Sequence, residues 1–241
     1  MNYHQEYQAS IDNPEAFWQD KALHLDWFTP PKTALSENTN GYPQWFKGGK
    51  LNTSYLALDH HVKAGRGENA ALIYDSPVTN TQETWTYNSL LNEVATLAGA
   101  LTSLGVTKGD TVIVYMPMIP QAAVAMLAVA RIGAIHSVVF GGFAASELAV
   151  RIDDAEPALI ITASCGIEGK KLLPYKPMVD DAIALAHHKP VGCVVYQRKQ
   201  LNATLVDDFD HDWQALCQAS EPVECTPVDA TDPLYILYTS G

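Results

Sequence analysis

The residues best suited to chemistry stand at the end of the chain, where Thr239-Ser240-Gly241 follows the apolar run Leu234-Tyr235-Ile236-Leu237-Tyr238. A strand that runs into this tripeptide sets two hydroxyls and a glycine at the carboxyl edge of a sheet, where open α/β sheets bind ligands. Phosphate suits such a place: glycine lets backbone N–H groups approach its oxygens, and short hydroxyl side chains add donors without bulk. Taken alone, a four-residue string such as Tyr-Thr-Ser-Gly is better read as a strand-ending turn. A domain seldom stops on the first glycine of a turn, so the ending predicts an incomplete chain.

Other chemistry-bearing residues have plainer readings. His60-His61 and His187-His188 are adjacent in sequence, diverge on a helix and lack a third ligand, so they are expected at the surface. Asp207, Asp208, Asp210, His211 and Asp212 lack the glycine and terminal glutamate of a calcium loop, and are expected to form a solvated loop that starts a helix. Cys165 follows a strand with no inferable histidine partner, which predicts a small structural side chain. His136 alternates with apolar residues and is expected to be a hydrogen-bonded core histidine. No metal site is expected.

Composition bounds the class. The 241 residues are 47% hydrophobic and 17% charged, the balance of a folded enzyme rather than a solvated tail. A net charge of −12 disfavours nucleic acid and anionic membranes as partners. The four cysteines form no C-x-x-C pair and are expected as reduced thiols in a cytoplasmic protein, and the N-terminus lacks the features of a secretion signal. The longest apolar run, Ala122 to Ala130, falls well short of the roughly 20 residues that span a bilayer and predicts a buried helix.

The elements that must position these residues follow from periodicity. Asn13-Pro14-Glu15 predicts a helix from Pro14 to about Ala22. A turn over 45–52 and a helix from Ser54 to about Lys63 complete an irregular, partly helical N-terminal segment. Ala71–Tyr74 and Glu83–Thr86 predict a hairpin, and apolar residues at helical spacing from Leu90 to Leu104 predict a helix over Tyr87–Leu104. Thereafter strands and helices alternate. Strands are expected at 111–115, 135–140, 158–162, 192–196 and 234–238, with helices from Pro120 to about Ile132, 145–153 and 176–187. The strands at 111–115 and 135–140 are apolar enough to be covered on both faces. Such a βαβ series predicts an α/β fold with a mostly parallel sheet and helices on both faces.

The whole chain resembles the AMP-forming acyl-CoA synthetases of the adenylate-forming superfamily, within them the acetyl- and propionyl-CoA synthetases. The resemblance is carried by Gly48-Gly49-Lys50-Leu51-Asn52, by Leu58-Asp59-His60-His61, and by the run from Gly109-Asp110 through Tyr115-Met116-Pro117 to Phe140-Gly141-Gly142-Phe143. The stretches Ala70 to Thr79, Ala163 to Glu168 and Tyr175-Lys176-Pro177 are similar to propionyl-CoA synthetases. The resemblance implies an N-terminal segment over 1–61 and an AMP-binding domain, incomplete at its end, over 62–241. It implies a ligase that joins a short-chain carboxylate, propionate or acetate, to ATP as an acyl-adenylate with release of pyrophosphate. Coenzyme A then displaces AMP to give the thioester, with Mg²⁺ accompanying ATP.

By the same resemblance Thr239, Ser240 and Gly241 open the ATP-phosphate loop, while the assisting lysine and the acyl pocket come later in the family. No catalytic residue falls within this chain, and a chain with so little of that apparatus is expected to be inactive alone. Phe140, Gly141 and Gly142 correspond to the turn that lies against the coenzyme A nucleotide. Two family arginines near its 3′-phosphate, spaced R-x-x-R, fall on Glu168-Gly169-Lys170-Lys171. Glutamate replaces the first, leaving Lys170 and Lys171 as the cations. A non-catalytic nucleotide- or coenzyme A-binding module is the alternative from a different class.

Overall fold

The structure, a computed structural model, describes residues 2–239. Helix α1 (Tyr3–Asp12) begins with a reciprocal cap: the Asn2 side chain accepts from the Gln5 N–H, and the Gln5 side chain accepts from the Asn2 N–H. Helix α2 (Pro14–Ala22) has the expected bounds, with Asn13 as its cap and proline at its first position. Strands β1 (Leu35–Glu37) and β2 (Pro43–Trp45) form an antiparallel pair, followed by β3 (Lys50–Leu51). The expected helix over 54–63 is present but wound largely as two π-helical turns, Tyr55–Asp59 and Val62–Arg66, the second holding Gly65 at φ +77°. The hairpin is present as β4 (Ala70–Ser76) and β5 (Thr81–Thr86).

Helix α3 (Tyr87–Ser103) then leads through β6 (Thr111–Met116), α4 (Pro120–Arg131), β7 (Ile135–Phe140), α5 (Ala145–Ala155) and β8 (Leu159–Ala163). A short antiparallel hairpin, β9 (Cys165–Glu168) with β10 (Lys171–Pro174), precedes α6 (Tyr175–Leu185) and β11 (Gly192–Tyr196). Strand β12 (Asp210–Asp212), α7 (Trp213–Gln218), β13 (Val228–Asp229) and β14 (Tyr235–Ile236) complete the order. Six strands form one sheet in the order β12-β11-β8-β6-β7-β14, and every neighbouring pair is parallel.

Alternation along the strands divides the core in two. Val112, Val114, Leu159, Ile161 and Val194 pack on α3 and α4, against Leu97, Leu101, Val124 and Ala128. Ile113, Tyr115, Ile160, Cys193 and Val195 point the other way, onto Leu148 and Ile152 of α5 and Val179 and Ala182 of α6. Burying each such aliphatic side chain contributes about 1.5–3 kcal/mol, so both layers are needed. Because β6 leads through α4 on one face and β8 through α6 on the other, their connections part at the carboxyl edge and leave a crevice there.

Buried polar contacts fasten the N-terminal segment to this body. The Asn52 amide donates to the carbonyls of Ala130, Arg131 and Thr226 at 2.9, 3.1 and 2.9 Å. Arg131 donates through both terminal nitrogens to Asp59, at 2.8 and 3.1 Å, and through Nε to the Val223 carbonyl. Strand β3 pairs antiparallel with β13.

Several expectations need correction. Strand β7 is not covered on both faces: Val138 is 43% and Phe140 67% exposed. Its outer neighbour β14 pairs only at His136 and Ser137, so the end of β7 has no strand beyond it among the described residues. Among the described residues His136 Nδ1 has no hydrogen-bond partner; its ring stacks on Tyr235 at 5.8 Å, and burial pushes its pKa down. The acidic stretch over 207–212 is only partly the solvated loop expected. Asp212 caps α7, but Asp210 is drawn into edge strand β12 by an ion pair at 2.8 Å to buried Lys176 of α6. Cys165 is buried, in line with a structural side chain. His60 meets Asp26 at 2.5 Å, and His61 accepts from Arg66.

Candidate functional site

The loops leaving β6 and β7 at the carboxyl edge enclose a cleft of about 640 Å³ with the β4–β5 turn and the β9–β10 hairpin. Phe140, Gly141, Gly142 and Glu168 all line it, together with Met116, Tyr175 and Arg198. The structure thus brings two separately proposed segments, the Phe-Gly-Gly turn and the start of the Glu168 segment, onto one cavity. Gly169, with φ +58°, forms the β9–β10 turn, and exposed Lys170 and Lys171 flank it outside the cleft lining.

Two tyrosines shape the turn after β7. The Tyr115 hydroxyl donates to the Phe143 carbonyl at 2.8 Å and accepts from the Gly142 N–H at 3.1 Å. Burial raises the Tyr115 pKa, so the phenol stays protonated and can donate. The ring of Tyr175 lies 5.1 Å from that of Tyr115, and burial, then proximity to Tyr115, pushes its pKa up to about 12. Gly142 itself adopts φ +116°, open to glycine and strained for other residues.

Packing requires a glycine at 141. A Cβ there would stand 2.6 Å from Tyr175 Cε2 and 2.8 Å from the Met116 carbonyl oxygen. Its missing side chain therefore makes room for a neighbouring tyrosine. Phe140, by contrast, projects into solvent, with Phe143 edge-on at 5.9 Å.

Tyr238 and Thr239 emerge at the same edge, because β14 runs parallel to β7. Tyr238 donates to Asp154 at 2.7 Å, and Arg151 lies 5.1 Å from its ring and 4.8 Å from that of Phe143. Helix α5 thereby links the turn after β7 to the chain just before exposed Thr239. Ser240 and Gly241 lie outside the described residues. Sequence reasoning did not single out Tyr115, Tyr175 or Arg198 as site residues. The sequence signals were Tyr115 and Tyr175, each within a run quoted for the resemblance, and nothing in local pattern marks Arg198.

Comparison with known proteins agrees with this architecture. A family model described as AMP-binding enzyme matches residues 58–241, and one described as acetyl-coenzyme A synthetase N-terminus matches residues 3–57. A propionate–CoA ligase of Salmonella typhimurium is 44% identical across all of this chain and 38% of its own length. A mitochondrial acyl-CoA synthetase short-chain family member 3 of Bos taurus is 47% identical over 99% of this chain and 35% of its own. An acetoacetyl-CoA synthetase structure from Streptomyces lividans superposes with a TM-score of 0.87 at 28% identity, covering 100% of this chain and 36% of that one. The chain thus spans between 35% and 38% of the length of those two curated relatives. With its six parallel strands, helices on both faces and a family model matched over residues 58–241, it belongs to the AMP-binding enzymes.

Proposed function

We propose that the chain supplies the coenzyme A-facing cleft of a propionate–CoA ligase, in a protein of its relatives' length. That protein would form a short-chain acyl-adenylate from ATP, then the thioester, releasing pyrophosphate and AMP. The observation that carries the reading is the meeting of Phe140-Gly141-Gly142 with Glu168 in one cleft at the carboxyl edge. In this reading exposed Phe140 stacks on the adenine of coenzyme A, and the Tyr115 hydroxyl holds the turn in shape behind it. Lys170 and Lys171 offer positive charge beside the cleft, as point charges rather than the planar fork of arginine.

Thr239, Ser240 and Gly241 are proposed to open the loop that holds the ATP phosphates. Mg²⁺ would accompany those phosphates; among the described residues no three His, Cys, Asp or Glu side chains are grouped to hold a metal. The propionate preference is supported by the propionate–CoA ligase relative, while the acetyl-coenzyme A synthetase match over residues 3–57 favours acetate as a second reading. Among the described residues no helix is long and apolar enough to cross a membrane.

Calorimetric titration of the chain with coenzyme A and with ATP tests the cleft. Coenzyme A should bind more tightly than ATP, and Phe140→Ala should weaken it about tenfold, the scale of one lost base–aromatic stack. Equal affinity in the wild type and Phe140→Ala would reject the stacking role. The acyl preference is read from thioester formation with acetate, propionate and butyrate, using a polypeptide of the relatives' length that contains this chain. Absence of thioester with all three would favour a non-catalytic module. The chain alone should form none, and turnover by it would refute that expectation.

A further inference from the structure

Arg198 is 8% exposed and belongs to the wall of the 640 Å³ cleft. Its backbone N–H donates to Ser164 Oγ at 2.8 Å and its Nη1 to the Cys165 carbonyl at 2.9 Å, so the side chain is held at both ends. The other edge of the guanidinium is unused. Among the described residues neither Nε nor Nη2 has an acceptor, no carboxylate forms an ion pair with this arginine, and neither nitrogen is sealed from the cleft. A buried cation without a counter-charge is costly, and two parallel N–H groups match two oxygens of one phosphate. Tyr175, close enough to Arg198 to feel its charge, lines the same cleft and adds a phenolic donor to it. Glu168 lines the same cleft and opposes an incoming anion.

We propose that Arg198 is an anion-binding residue of this cleft, presenting Nε and Nη2 side by side to a phosphate group of the ligand. It would provide the planar fork that Glu168, Lys170 and Lys171 do not. Which phosphate it meets rests on the coenzyme A reading above; the anion site itself rests on the geometry of Arg198.

The test is calorimetric titration of the chain with adenosine 3′,5′-bisphosphate and, separately, with inorganic pyrophosphate. Arg198→Gln should weaken the bisphosphate by about tenfold or more, and Arg198→Lys should fall between it and the wild type. Glu168→Gln, at an exposed position, should strengthen binding by about threefold. If Arg198→Gln fails to fold, the lysine and glutamine variants at 198 and 168 still decide the matter, since Arg198→Lys retains a donor for Cys165. Bisphosphate binding that is equal in all variants overturns the role of Arg198 and leaves the coenzyme A reading standing. Pyrophosphate binding lost with Arg198, with no bisphosphate binding, supports the anion site and rejects the coenzyme A reading. A wild type that binds neither anion overturns the proposal.

Discussion

Tyr175 occupies the space in front of Gly141, its Cε2 only 2.6 Å from the point where a Cβ would stand. The turn after β7 is consequently fixed on that side by packing, before any ligand enters the cleft. Its shape depends on the ring of a residue that follows β10 in the chain.

Gly141→Ala should therefore destabilise the fold by about 1–3 kcal/mol, the usual cost of forcing an extra carbon into a packed site. Urea denaturation measures it. Combining it with Tyr175→Leu should recover part of that loss, because the Met116 carbonyl at 2.8 Å still obstructs the new methyl. Strictly additive losses would show that the ring is not the obstacle.

The Asp59–Arg131 pair holds the N-terminal segment with side chains only 7% and 3% exposed. Asp59→Asn leaves a buried guanidinium without its counter-charge, and a loss of about 3–5 kcal/mol is expected in chemical denaturation. Replacing both partners, as Asp59→Leu with Arg131→Met, should cost less than the single change. A double variant worse than Asp59→Asn would mean that the pair contributes net stability over an apolar substitute.

Asp153 accepts from the backbone N–H groups of His188 and His187, and these bonds, the His188 one foremost, hold its pKa below the ordinary 3.8. A depressed carboxyl pKa stabilises the fold above the unfolded value and loses that effect as pH falls through the folded value. The stability gap between wild type and Asp153→Ala should thus be whole well above pH 3.8 and close progressively below it. Thermal melts from pH 6 down to acid measure the gap. A gap independent of pH would assign the effect of the substitution to something other than the carboxylate.

The alternating middle of the chain was legible because strand and helix periods differ and each segment is long enough to display its own. Helix α3 begins at Tyr87 as expected, and β7 and β11 keep their expected bounds. Helix α1 escaped notice because its residues bury no stripe; only the Asn2–Gln5 cap marked it. The β9–β10 hairpin was missed for want of length, although Gly169 supplied its turn. Exposure of Phe140 was illegible because coverage of β7 depends on what pairs beside it, which local pattern does not state. The Phe-Gly-Gly segment was visible as a motif, while Arg198 joined the same cleft only through the parallel pairing of β8 with β11.

The three carbonyls that Asn52 engages include one 174 positions further along the chain. During synthesis its amide cannot find that last partner until Thr226 has left the ribosome, and β3 must likewise wait for β13. The stretch around Asn52, although made well before Thr226, is consequently among the later parts of this chain to reach its final attachment.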